Sequence, residues 1–303
     1  MRNTSEQAVQ QTPPATGTII SGRAPVRAFL RSWPLTVLLS LAWMASVVLV
    51  VLVLPLVIDA DMQAMDLKNR LMPPVFFGGT WQHALGTDEL GRDILARLLV
   101  STQTSMALAL AATLLSTVIG VGLGFLASYM RGPVEQVILM LIDAQSAIPF
   151  MIIALAVLAF LGNSLLLFTI LLGLSGWASI ARVTRGLAIS FSEHGFANAV
   201  GDLGASPWRV YMQHILPNIA STLVVSLTLN FPEVILLEAG LSFLGLGIQP
   251  PMTSLGSMVG YARDYLHTAP WILLAPALVI VVTTLSMSLV GDWLRDRLDP
   301  SLR

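Results

Sequence analysis

Six stretches of about 18 to 30 mostly apolar residues dominate this chain, at roughly 35–58, 105–129, 137–161, 164–181, 218–247 and 271–291. At about 1.5 Å rise per residue, each is long enough as a helix to cross or nearly cross the ~30 Å hydrocarbon core of a bilayer. Backbone groups in that core must bond among themselves, which leaves helices or a closed barrel, and runs of this length and apolarity read as helices. The expected fold class is therefore all-α, a polytopic membrane protein with six transmembrane helices. Charged residues make up 11% of the chain, against about a quarter in soluble domains, which excludes a soluble globular fold. Sixteen basic and seventeen acidic residues leave no broad basic face for nucleic acid. With no cysteine present, disulfide frameworks, thiolate nucleophiles and zinc–thiolate sites are excluded as well.

Six spans put both ends on one side. The two tails and the connections following the second and fourth spans hold eleven Lys and Arg residues, and the other side holds five. By the positive-inside rule both termini and the 182–217 loop are expected in the cytoplasm, with 59–104 and 248–270 outside. The first apolar run is too long for a signal-peptide core, and Asp59-Ala60-Asp61 is no cleavage site; it reads as a retained anchor. The expected organisation is a cytoplasmic tail at 1–32, an anchor at 33–58, an outer segment at 59–104, a five-helix core at 105–294 with a cytoplasmic loop at 186–217, and a tail at 295–303. Residues 1–24, rich in Gln, Thr, Pro and Ser, suit a disordered tail. In the outer segment, Leu90, Ile94, Leu95, Leu98 and Leu99 share a helical face, with Asp93 and Arg97 four apart on another. That pattern predicts a helix over 86–99 lying in the membrane interface.

The strongest local signal is the loop at 193–218. Phe196, Ala199, Val200 and Leu203 form one apolar stripe at helical spacing, Gly204 fits a helix stop, and Ser206-Pro207 is an N-cap followed by proline at the first helical position. The second helix runs to Pro217, giving a helix-turn-helix elbow. Gly195, Ala197, Ala199 and Gly201 keep the first helix slim enough to enter a groove on another protein. A helix resting on the membrane surface is the alternative, but residues 193–204 carry none of the Lys or Arg that such helices favour.

The loop resembles the EAA motif of ATP-binding-cassette (ABC) importer permeases, E-A-A-x3-G-x9-I-x-L-P, which falls on Asn198, Ala199, Val200, Gly204, His214, Leu216 and Pro217. Four further segments extend the resemblance: G-T-D-E-L-G-R-D at 86–93, I-D-A-Q-S-A-I-P at 142–149, L-S-F-L-G-L-G-I-Q-P-P at 241–251 and G-D-W-L-R-D-R-L-D-P at 291–300. Together they are similar to the C-type permease subunit of the dipeptide/oligopeptide/nickel branch. The chain departs from the pattern at Asn198 for the family's glutamate, Val200 for its second alanine, Gly201-Asp202 for Arg-Ala, and Leu255 for a tryptophan. The resemblance implies the type I ABC importer permease fold in a bacterial inner membrane. It implies a second permease subunit as partner, one or two ABC ATPase subunits that bind ATP and Mg, and an external solute-binding protein. No cofactor and no catalysis are implied in this chain. Phe196, Asn198, Ala199, Val200, Leu203, Gly204, His214 and Pro217 are then the ATPase-coupling residues, and di- or oligopeptides the expected solute by family frequency.

Ionisable residues inside spans are costly and mark candidate sites. Asp143 falls about 14 Å into the third span, where pairing or a pathway position are the two readings. Glu233 follows Phe231-Pro232, an expected kink, and Glu238 is expected to reach the outer interface. A proton- or cation-coupled secondary transporter using Asp143 and Glu233 is the rival from another class. A membrane enzyme ranks third, since no catalytic set is present. The lone lysine, Lys68, has no P-loop glycines before it. G-L-G-F-L-A at 122–127 imitates a dinucleotide fingerprint but sits within an apolar span, where it predicts close helix packing. The four histidines fall in different loops on both membrane sides, so no metal site is expected.

Overall fold

A computed structural model describes residues 33–57, 65–192 and 206–298. It is all-helical apart from one isolated β-bridge between Thr87 and Asp93. The principal helices are α1 (Leu35–Val57), α2 (Ile94–Tyr129), α3 (Pro133–Ala147), α4 (Phe150–Leu161), α5 (Leu165–Ser192), α6 (Leu216–Phe243), α7 (Leu255–Ala262) and α8 (Trp271–Leu298). Among the described residues, five helical segments are long and apolar enough to cross a membrane, and α3 with α4 makes a sixth if the bent pair counts as one span.

The expected third span is thus broken. α3 and α4 meet at 87° because Pro149 cannot donate and forces its predecessor out of the helical region; Ile148 is extended at φ −113°, ψ 130°. The predicted interfacial helix over 86–99 is also absent. Residues 86–93 fold as turns, and the helix that starts at Ile94 runs on without a break for 36 residues, about 54 Å. The 248–270 stretch, expected as a plain loop, contains α7.

The core is built where α2, α5 and α6 pack, with Ala109, Ala112, Phe168, Leu172, Val234 and Ile235 buried. α1 packs along α8, where Trp43 Nε1 donates to Thr283 Oγ1 at 3.0 Å. Close approach of α2 to α5 depends on Gly120 and Gly124. A Cβ on Gly124 would lie 2.7 Å from Thr184 Cβ, whereas one on Gly122 would meet nothing within 4 Å. Of the 122–127 glycine pair, then, only Gly124 packs; its partner in the small-xxx-small pattern is Gly120. Gly124→Ala is expected to destabilise the purified chain by about 1–3 kcal/mol through overpacking. Gly122→Ala should be neutral or slightly stabilising, as alanine is the better helix former. Thermal unfolding in detergent compares the two, and equal effects would discount the packing argument.

Candidate functional site

Two ends of α2 carry the features of interest. At its C-terminal end sits the described half of the elbow. Ser206 caps a short helix, Pro207–Arg209, accepting from Arg209 N at 3.4 Å, and the chain then winds as a π-helix over Val210–Ile215 before α6 begins. Leu216 N bonds back five residues to Tyr211 O. Pro217, in the next position, has no N–H to donate, so the wide turn falls where the regular ladder is already interrupted. The π-helix seats Tyr211 against α2, with its ring 5.2 Å from Phe125 and 6.1 Å from Tyr129, both edge-on. Ser128 Oγ donates to the Tyr211 hydroxyl at 3.2 Å. Ile215 and Ile219 are fully buried beside Phe125 and Ala188. An apolar cavity of about 310 Å³ remains between Phe125, Leu126, Tyr129, Trp208, Tyr211 and Met212. Of the predicted coupling residues, His214 is half-buried and Pro217 exposed. Phe196, Asn198, Ala199, Val200, Leu203 and Gly204 lie outside the described residues.

At the other end, the G-T-D-E-L-G-R-D segment is organised by Asp88, whose side chain is fully buried. Its Oδ1 accepts from Leu90 N and Arg92 N, both at 2.9 Å, and its Oδ2 accepts from Arg92 Nε at 2.6 Å and from Arg97 Nη1. Gly91, at φ +73°, turns the chain inside this knot, and its Cα side abuts the Asp66 carbonyl so closely that no Cβ fits. Arg92 Nη2 also reaches Glu89 Oε1 at 3.1 Å. Asp93, expected on a helical face with Arg97, instead stands before the helix and caps α2 by accepting from Ala96 N at 2.8 Å, and it meets His83 Nδ1 at 2.9 Å. Trp271 Nε1 ties the segment to α8 through the Thr87 carbonyl at 3.4 Å. Beside the knot opens a cavity of about 510 Å³ whose polar lining includes Glu89, Arg92, Arg97, Thr104, Thr253 and Tyr261.

Glu238, expected at the outer interface, is 1% exposed. It accepts hydrogen bonds from Ser242 Oγ at 2.8 Å, Ser254 Oγ at 2.7 Å and Ser105 Oγ at 3.3 Å, so one carboxyl group joins α6, the start of α7 and α2. Ser105 Oγ accepts in turn from Leu255 N at 3.0 Å. Ser254 and Ser257 form a capping box at the head of α7, where the carboxyl oxygen also faces the favourable end of the helix dipole. Only glycine fits at 256, since a Cβ there would sit 2.6 Å from Ala239 Cα and 3.1 Å from Glu238 Oε1.

The other two intramembrane acids are exposed. Asp143 pairs with Arg182 Nη2 at 2.9 Å, and Glu135 pairs with Arg185, Nε to Oε1 at 2.7 Å, so two ion pairs pin α3 across α5. Both arginines, expected in the cytoplasmic loop, belong to α5 because that helix extends to Ser192. Glu233 is exposed on α6, which continues through Pro232. Asp143 and Glu233 share no hydrogen bond or ion pair. Among the described residues no group of three or more His, Cys, Asp or Glu is placed to hold a metal ion. Sequence reasoning passed over Asp88, Arg97 and Tyr211 as site residues; Arg97 was visible only as a helix-face polar position, and Asp88 only as one letter of G-T-D-E-L-G-R-D.

Residues 116–303 match the model of the family described as "Binding-protein-dependent transport system inner membrane component". The Di/tripeptide transport system permease protein DppC of Pseudomonas aeruginosa is 35% identical over 87% of this chain and 87% of its own length. The Glutathione transport system permease protein GsiD of Pectobacterium atrosepticum is 36% identical over 75% of each chain, and the Oligopeptide transport system permease protein OppC of Mycobacterium bovis is 34% identical over 92% of this chain and 94% of its own. A solved structure of the MetNI methionine ABC transporter in an inward-facing conformation superposes with a TM-score of 0.57 over 68% of this chain and 98% of that one, at 18% identity, a likeness of fold.

Proposed function

The chain belongs to the binding-protein-dependent transport system inner membrane component family, as a non-catalytic permease subunit of an ABC importer, and from that premise we propose that it carries di- or oligopeptides. It is a multi-pass inner membrane protein that works in a complex with an ATPase and a binding protein. The peptide reading is supported by relatives whose names specify di/tripeptide and oligopeptide transport and whose similarity spans nearly the whole chain. The partner permease is a different chain, paired with this one around the pathway, and one or two ATPase subunits sit below. Both termini and the elbow face the cytoplasm, as the Lys and Arg distribution favours. ATPase closure pushes the segment holding Phe196, Asn198, Ala199, Val200, Leu203 and Gly204, with His214 and Pro217 in its return limb, and rocks the spans between inward- and outward-facing states.

The observation that carries this reading is the seating of Tyr211 on Phe125 and Tyr129. It joins the elbow's return limb directly to α2, so a push on the elbow moves that span. Gly204→Trp is expected to abolish ATP-linked uptake while leaving the complex assembled, and undiminished uptake would count against the coupling role. The subunit composition is tested by affinity purification of the tagged chain from its native membrane in mild detergent, followed by mass spectrometry. A second permease and ABC ATPases should co-purify. Recovery of the chain alone, or of a homo-oligomer, contradicts the proposed assembly.

A further inference from the structure

The 510 Å³ cavity beside Asp88 falls within the usual range for small-molecule sites, about 300–1,000 Å³. Its wall holds an unusual group. The Arg97 side chain is only 9% exposed, yet of its guanidinium only Nη1 has an acceptor, the Asp88 carboxylate. The Nε and Nη2 positions, which together form one flat two-donor edge, have no acceptor among the described residues, although Arg97 lines the cavity. A guanidinium edge of this kind matches the two oxygens of a carboxylate in parallel. Arg92 cannot compete for that role with the same edge, because its Nε is engaged by Asp88 and its Nη2 by Glu89. Asp88 and Glu89 balance the two arginines in formal charge, so the cavity offers directed donors without a strong excess of positive charge. A second cavity of about 340 Å³ shares Thr104 and Met252 with the first and follows α2 past Ala107 and Ala111. The guanidinium edge therefore stands at the head of a groove that descends along α2.

We propose that this cavity is a recognition subsite for the carboxylate of the solute, held on the Nε/Nη2 edge of Arg97 before the solute enters the groove along α2. The inference rests on the importer reading given above and adds to it the specificity-determining group.

The absence of cysteine from the chain makes a direct test available. Thr104→Cys, close to threonine in size, gives this chain a single thiol in the cavity wall; the assembled complex is held in lipid nanodiscs so that both faces are reachable, and labelling is read on this subunit alone. Labelling rates with an anionic sulfonatoethyl and a cationic trimethylammonium-ethyl thiosulfonate are each normalised to their rates with free 2-mercaptoethanol. The normalised ratio should favour the anion by roughly twofold, because Arg97 lines the same cavity about 10 Å along α2 from Thr104 while Asp88 and Glu89 offset part of its charge. Trialanine should slow labelling at least about fivefold more than trialanine amide, as loss of a charge-assisted bidentate contact implies. Arg97→Lys keeps the charge but not the flat edge, so the anionic preference should persist while the difference between acid and amide disappears. A ratio at or below one, equal protection by both peptides, or a thiol that neither reagent reaches each overturns the subsite. ATP-dependent trialanine uptake by the unsubstituted complex is measured in parallel. Its absence would defeat the peptide-importer reading, whereas uptake without acid-selective protection defeats only the subsite.

Discussion

Asp88→Ala is expected to collapse the loop end of the molecule and with it the transporter. Removing this carboxylate leaves the largely buried Arg97 without its counter-charge and Arg92 with Glu89 alone, and strips the acceptor from the Leu90 and Arg92 amides. Breaking a buried ion pair by deleting one partner costs about 3–5 kcal/mol, a large share of a total stability of about 5–15 kcal/mol. The observable result is a protein that unfolds well below the wild-type temperature and whose 65–93 segment is cleaved at protease concentrations the wild type resists. Asp88→Asn keeps an oxygen acceptor for the two amides but loses the charge, and should fall between the two. A wild-type proteolysis pattern for Asp88→Ala would show that the knot does not hold the segment.

Glu238→Ala is the second large effect. Three serine hydroxyls from α2, α6 and the head of α7 converge on this one carboxyl group, and the substitution leaves them facing an apolar gap. Buried donors left without partners cost about 1–3 kcal/mol each, although rotating hydroxyls recover part of that, so a net loss of roughly 2–4 kcal/mol is expected. Glu238→Gln retains the shape and one acceptor oxygen, and serine hydroxyls can turn to accept from its amide. It should therefore fold and transport at close to wild-type levels. Uptake and thermal stability measured side by side separate the two variants. If Gln proved as damaging as Ala, the carboxyl group would have a role in transport beyond joining the three helices.

The spans were legible because length and apolarity are what a bilayer demands of a helix, and both are properties of a contiguous stretch. The break at Pro149 was not, and the reason lies in the chain itself. Pro232 and Pro276 sit inside continuous helices while Pro149 ends one, so within the membrane the same residue gives opposite outcomes according to what packs around it. Asp88 was missed because its partner on α2, Arg97, is nine residues away, and its nearer partner, Arg92, meets it across a turn rather than along a helix. Glu238 was misplaced for a related reason. Counting along the helix measures depth, but α7 folds back over the position and buries it. For Asp143 the sequence raised pairing as one role; its partner, Arg182, depended on how far α5 continues. The start of the elbow's second limb at Ser206-Pro207 was readable from its cap alone, since an N-cap is a local device. The π-helix that turns Tyr211 onto α2 was not, as nothing in W-R-V-Y-M distinguishes it from an ordinary turn of helix.

The measurement that bears most directly on the account is uptake of a labelled tripeptide into proteoliposomes containing the purified complex, with the binding protein on the peptide side and ATP supplied on the elbow side. Uptake is expected to require both ATP and the binding protein, to persist when ionophores collapse every ion gradient, and to vanish with Gly204→Trp. Accumulation that follows a proton or cation gradient without ATP, and that survives Gly204→Trp, would contradict it.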